Sequence, residues 1–173
     1  ENDFFAEVIV NRVWADMMGR GLVEPVDDLR VTNPPSNGPL LKALARHFRQ
    51  QQFDMKKLIA TITESHVYGL STRPTDRNVS DTRNYSRYYR QRLGAEVLLD
   101  AISDITEVSD SFSGMPPESR ANQIWTHRVG SLFLDTFGRP DPNQDPPCER
   151  TSDSTVVQIL HLMNAPNLHN KLT

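Results

Sequence analysis

A single cysteine, Cys148, stands in a chain of 173 residues, so no disulfide forms within it. As a nucleophile Cys148 would need a neighbouring base, and Pro146, Pro147 and Glu149 supply none. It reads as an ordinary packed or exposed thiol. No stretch of eighteen apolar residues occurs, which excludes a transmembrane helix of ordinary length. Positive charge is not in excess. Lysine and arginine number 19 against 22 acidic residues, a formal net charge of −3, which argues against a nucleic-acid partner. The five histidines include no pair at metal-ligand spacing, so a zinc site would have to be assembled by the fold. His161, on a helix, reads as a packing residue. Ser131 sits in Arg128-Val129-Gly130-Ser131-Leu132, which is not the frame of a serine hydrolase. No phosphate loop, dinucleotide fingerprint or repeat is present. The sequence assigns no reaction.

What is present is an unusual order of punctuation near the start: Asn11-Arg12-Val13-Trp14, Gly19-Arg20-Gly21-Leu22-Val23, Asp27-Asp28, Asn33-Pro34-Pro35-Ser36 and Leu40-Leu41. Residues 4–18 are mostly apolar and predict a helix buried on most sides. Arg12 and Asp16 lie one turn apart and can pair on the one polar stripe. Gly19 ends the helix in a left-handed conformation. Pro34-Pro35 forces an extended turn. Ser36 or Asn37 then caps a second helix, with Pro39 in its first turn.

Further along, Leu40, Leu41, Leu44, Ala45 and Phe48 share one helical face. Asp54 caps a third helix with Met55, Leu58, Ile59 and Ile62 inward. The stretch from Ser71 to Arg92 is polar and aperiodic, with arginines and Tyr85, Tyr88 and Tyr89 interleaved. Such an Arg/Tyr mix can stack on bases or sugars; the reading preferred is a long solvated connector with cation–π contacts. A fourth helix is expected from about Ala95 to Val108, with Val97, Leu98, Ala101, Ile102 and Ile105 inward. The alternation in Ala121–Thr126 and Ser131–Phe137, joined near Gly130, predicts a short β-hairpin. A last helix should bury Val156, Ile159, Leu160 and Met163. The fold expected is a single mainly α, irregular multi-helix domain over 1–173, with long proline-rich loops. The chain opens on Glu1 and stops within a helix-like segment, so it is expected to be an excerpt of a longer multidomain protein.

Three groups of residues invite chemistry. Asp27 and Asp28 are paired carboxylates in a constrained loop, able to bind a hard cation or act as acid and base. The alternative is that one caps a turn and the other pairs with Arg30 or Arg12. Arg12 and Asn33 join the two aspartates as candidate ligand-binding residues. Asp141, Asn143 and Asp145 imitate the first ligands of a calcium loop, and Glu149 can reach the same cation. Pro146 and Ser152 stand where that loop needs glycine and glutamate, so any structural Ca2+ would sit in a different geometry. Arg139 and Arg150 flank this aspartate loop. They can hold it, or bind an anionic group such as that of a sulfated or carboxylated sugar.

The early block resembles the start of a bacterial domain family of unknown function, the family numbered 1553, typical of planctomycetes. Met18 and Leu29 stand where relatives carry phenylalanine. Asp54-Met55-Lys56-Lys57-Leu58-Ile59, Leu93-Gly94-Ala95-Glu96-Val97-Leu98-Leu99-Asp100-Ala101, Phe137-Gly138-Arg139-Pro140, Cys148-Glu149-Arg150 and Gln158-Ile159-Leu160-His161-Leu162-Met163-Asn164 resemble its later blocks. The resemblance implies an exported protein, at the periplasm or cell surface, whose chain often carries a second uncharacterised domain and sometimes a c-type haem domain. It implies no catalytic residues and no required cofactor. The leading expectation is a non-catalytic scaffolding or ligand-recognition module that works beside other domains of its chain. One alternative is part of a polysaccharide-directed hydrolase using Asp27, Asp28 and the 141–145 loop. Another is a docking module for a c-type cytochrome domain.

Overall fold

The computed structural model describes residues 3–126, 128–140 and 155–171. Among them are seven α-helices, one 3-10 turn and no strand, so the fold is mainly α. The chain divides into two compact units, 1–91 and 92–173, each with its own hydrophobic cluster.

The first unit holds α1 (Asp3–Met18), α2 (Gly38–Gln50) and α3 (Met55–Thr63). Ala6, Val10, Trp14 and Met18 recur every fourth residue of α1 and are all buried. Leu41, Leu44, Ala45 and Phe48 form the matching stripe on α2. Burying side chains such as Val10, Met18 and Leu58 stabilises the unit by roughly 1.5–3 kcal/mol each. Gly19 ends α1 at φ 77°, its N–H bonded to the Ala15 carbonyl. Asn37 caps α2 by accepting from Leu40 N, and Asp54 caps α3 by accepting from Lys56 and Lys57 N. On α3, Leu58 and Ile62 are buried, whereas Met55 and Ile59, expected inward, are about two-fifths exposed.

The segment 71–91 is largely exposed, as a solvated connector would be, but its tyrosines and Gln91 anchor it to the first unit. The Tyr88 hydroxyl donates to the Met17 carbonyl at 2.6 Å, and Gln91 Nε2 reaches the same oxygen at 3.0 Å. Tyr85 is buried in the core cluster. Asp81 organises the turn between them, accepting from Arg83 N, Asn84 N, Ser86 N and the Ser86 hydroxyl. These bonds hold its carboxyl far below the usual carboxylate range. The expected cation–π contact is present, with the Arg87 guanidinium 5.2 Å from the Tyr89 ring centre.

The second unit contains α4 (Ala95–Thr106), the 3-10 turn Ala121–Gln123, α5 (Leu132–Thr136), α6 (Val156–Asn164) and α7 (Pro166–His169). The expected hairpin is replaced by the 3-10 turn and α5, because side-chain acceptors, one of them on α4, satisfy backbone N–H groups at the start of each. Asp100, buried on α4, accepts from Ala121 N at 2.7 Å, Asn122 N at 3.2 Å and Asn122 Nδ2 at 2.8 Å. Ser131 caps α5 by accepting from Leu134 N. Turning Asp100 inward also sets the roll of α4. Ala95 and Leu99 are buried, Leu98 and Ile102 pack against them, and Val97 and Ile105, expected inward, face out.

The expected inward face of α6 is reversed as well. Val156, Ile159, Leu160 and Met163 are exposed, and Gln158 is buried. Gln158 Oε1 accepts from Arg92 Nη1 at 2.5 Å and from Thr155 N at 3.1 Å, while its Nε2 donates to the Thr136 carbonyl. Near the end of the unit, buried Lys171 Nζ donates to Val108 O, Ser103 Oγ and Asp110 Oδ2.

Replacing Asp100 by alanine strands the Ala121 N–H inside the second unit. The expected loss is about 2–3 kcal/mol. Urea unfolding followed by far-UV circular dichroism measures it; a change under about 0.5 kcal/mol would show that Asp100 does not anchor the 3-10 turn.

Candidate functional site

The motif block folds around one side chain. Asn11 is fully buried on α1. Its Oδ1 accepts from Val23 N at 3.0 Å, and its Nδ2 donates to Val23 O at 3.0 Å and Val26 O at 2.7 Å. The loop from 19 to 37 thereby gains the partners that a helix or sheet would otherwise give it. A Cβ on Gly21 would lie 2.4 Å from the Val23 carbonyl oxygen and 3.0 Å from Asn11 Nδ2, so only glycine fits. Gly21 N donates to Glu24 Oε1 at 2.5 Å. Ser36 bonds the Leu22 carbonyl through both its N–H and its hydroxyl. Asn33 Nδ2 donates to the carbonyls of Glu24 and Asp28. The Glu24–Pro25 peptide is cis. Tyr85 closes the loop from outside, its hydroxyl 2.9 Å from Arg20 O and 2.7 Å from Gly21 O. Its ring meets Trp14 edge-on at 5.3 Å.

Asp27 and Asp28 sit on this loop, each engaged by its own arginine. Arg12 Nε and Nη2 reach the two oxygens of Asp27 at 2.7 and 2.9 Å. Arg30 does the same for Asp28 at 2.6 Å on both arms. These bidentate bonds hold both carboxyls below the usual carboxylate range. Arg12 therefore turns to Asp27 and not to Asp16, which it meets only electrostatically. Neither Asp27 nor Asp28 is kept protonated near neutrality, as a general acid would be.

The other predicted residues lie elsewhere. Arg139 belongs to the second unit. It is buried, with Nε and Nη2 on Asp135 Oδ1 at 3.1 and 2.6 Å and Nη1 on the Val129 carbonyl at 2.6 Å, so its guanidinium holds α5. Asp141, Asn143, Asp145, Glu149 and Arg150, with Cys148, are outside the described residues. Among the described residues no three His, Cys, Asp or Glu side chains gather closely enough to hold a metal ion. His161 packs edge-on against Phe133 and Phe137.

Two residues that the sequence did not single out as a pair help to line a polar cleft of the first unit. Arg20 and Arg83 line a cleft of about 130 Å³ with Gly21, Glu24, Asn33 and Ser36. It adjoins a shallower hollow of about 370 Å³ lined by Gly19, Arg20, Glu24, Thr82 and Tyr89. Among the described residues, neither Arg20 nor Arg83 forms an ion pair, unlike Arg12, Arg30, Arg120 and Arg139. The small cleft has room for one oxyanion, such as a carboxylate, sulfate or phosphate group. Glu24 has one oxygen on Gly21 N and offers the other as an acceptor. The available sequence signal was a charged residue, Arg20, held between two glycines.

The second unit has a larger hollow of about 450 Å³, lined by Asp100, Asp104, Glu107, Asp110, Glu118 and Arg120 among others. Its acids are largely compensated. Asp100 caps the 3-10 turn, Asp104 pairs with Arg120 at 2.6 Å, and Asp110 pairs with Lys171 at 2.7 Å. No helix among the described residues is long and apolar enough to cross a membrane.

The profile of the PSD1 family, proteins of unknown function (DUF1553), matches residues 1–173, and the chain belongs to that family. Neither a curated protein nor a solved structure matches the chain.

Two outcomes test the frame. Burial pushes the Tyr85 hydroxyl up to about 12 from an ordinary 10.0. A raised folded-state pKa gives stability that is complete below pH 10 and lost as pH rises through 12. The first unit should therefore weaken between about pH 10 and 12, and Tyr85→Phe should reduce that alkaline step. Burial raises the Tyr88 hydroxyl as well, so the part of the step that survives Tyr85→Phe is that of Tyr88. Tyrosinate absorbance and stability measured against pH check both. Asn11→Leu leaves Val23 N and two carbonyls unpaired and should cost at least about 2 kcal/mol. Hydrogen exchange at Val23 should then approach that of an open loop.

Proposed function

We propose that the chain is a non-catalytic recognition module of an exported multidomain bacterial protein, and that its first unit binds an anionic polysaccharide. The observation that carries this reading is that Arg20 and Arg83, which form no ion pair among the described residues, line with Glu24 a cleft whose walls are fixed by hydrogen bonds. An acid group enters between the arginines, where charge-assisted bonds are strong. The sugar ring lies in the adjoining hollow beside Tyr89, and a ring hydroxyl donates to the open oxygen of Glu24. Preorganisation supports binding, since the loop is ordered before the ligand arrives. The arginine partners of Asp27 and Asp28 support binding over turnover, because both carboxylates are already neutralised.

Calorimetric titration with a sulfated or uronic-acid oligosaccharide and its neutral counterpart tests the reading. The acidic ligand should bind and the neutral one should not. Raising salt should weaken the complex. Arg20→Gln and Arg83→Gln should each cost about 1.5–3 kcal/mol, roughly 10- to 100-fold in Kd. Arg12→Gln, which breaks an exposed ion pair outside the cleft, should leave affinity unchanged. Equal binding of the neutral sugar, or affinity indifferent to both cleft arginines, would sink the proposal.

A further inference from the structure

Helix α6 wears its apolar face on the outside. Val156, Ile159, Leu160 and Met163 recur at i, i+3, i+4 and i+7, the spacing of a helix–helix seam. They are 70, 57, 51 and 74 % exposed. Val157 and Leu162 flank the seam and are also exposed. The helix does not gain by rolling over to hide them. Its inward stripe is fastened by Gln158, which bonds Arg92, Thr155 and Thr136, and by His161 against Phe133 and Phe137. Rolling would break those bonds inside the unit, where an unmade hydrogen bond is costly.

The character of the seam selects its partner. From 155 to 170 the chain has no Asp, Glu, Lys or Arg. A partner that docks through charge finds no counter-charge here. A second copy set against the first about a two-fold axis meets no like-charge repulsion and matches apolar surface with apolar surface. The size fits. Six side chains this exposed leave roughly 600 Å² per copy, so pairing two seams buries on the order of 1,000 Å², where specific interfaces begin. We propose that two copies of this chain associate through their α6 seams, in a weak and reversible dimer.

Sedimentation equilibrium of the 173-residue chain from about 1 to 300 µM tests this, the range in which an interface of that size associates. The expected result is a mass that doubles across the series. The double variant Ile159→Glu, Met163→Glu changes only exposed positions and should weaken association at least tenfold with helix content unchanged. Mixing Met163→Glu with Met163→Lys should restore pairing between the two variants. A wild-type chain that stays monomeric throughout overturns the proposal and leaves the seam to a different partner, a result that does not depend on any variant folding. A double variant that is folded and dimerises as tightly as the wild type overturns it equally.

Discussion

One amide side chain carries the first unit. Asn11 lies within the hydrophobic cluster, where an unpaired polar group is costly, yet both of its polar atoms are bonded, to Val23 and Val26. The loop it holds has no regular secondary structure, so its buried backbone groups need side-chain partners. Asn11 supplies three bonds, Ser36 covers Leu22 O, and Tyr85 covers Gly21 O. Remove the amide and the remaining ties lack a fixed point, because Gly21, Leu22 and Val23 reach their partners only while the turn at Val23 stays closed. The absence of a side chain at Gly21 belongs to the same constraint, since any Cβ would strike Val23 O.

A frame built this way uses up polar residues. Asn33 and Ser36 bond carbonyls, and Asp27 and Asp28 hold arginines. These residues, which look chemical in the sequence, are thus structural in the fold, and Arg20 and Arg83 are left over. Arg20 is left over because its carbonyl, not its guanidinium, is what the frame needs from it. Arg83 is left over because Asp81 bonds the backbone N–H of that residue and not its side chain. In both cases a main-chain contact fixes the residue and frees its charge. The backbone of each is held, while its side chain forms no ion pair among the described residues.

Much of this was legible in the sequence. The caps at Asn37 and Asp54, the stripe on α2 and the left-handed end at Gly19 follow from local rules. That one of Asp27 and Asp28 pairs with Arg12 or Arg30 was among the readings open from the residue types; that both are paired, each with its own arginine, was not. The cleft was not legible. Arg20 and Arg83 are 63 positions apart, and what joins them is the Tyr85 hydroxyl on the Arg20 carbonyl, a contact with no local signature. The 71–91 segment looked solvated because its polar residues outnumber its tyrosines, while the tyrosines and Gln91 decide where it lies. The hairpin failed for a related reason: alternation of apolar residues was present, but Asp100, distant in sequence, and Ser131 gave backbone N–H groups side-chain partners instead.

Periodicity reports which face of a helix is apolar and leaves open which face turns inward. On α2 the two coincide, because nothing polar competes. On α4 and α6 they do not. Asp100 and Gln158 each bond two or three groups from neighbouring segments. A net gain of about 0.5–1.5 kcal/mol per bond, and a penalty of about 1–3 kcal/mol for each buried group left unpaired, together rival the roughly 1.5–3 kcal/mol from burying one aliphatic side chain. When one polar residue serves several such groups, it sets the roll of the helix and the apolar residues follow. On α4 the displaced residues, Val97 and Ile105, are scattered singly and need no covering. On α6 they form a continuous seam, and a continuous apolar seam in water gains by meeting another. The inward hydrogen bonds of Gln158 and the outward association of α6 are thus two consequences of one choice of helix orientation.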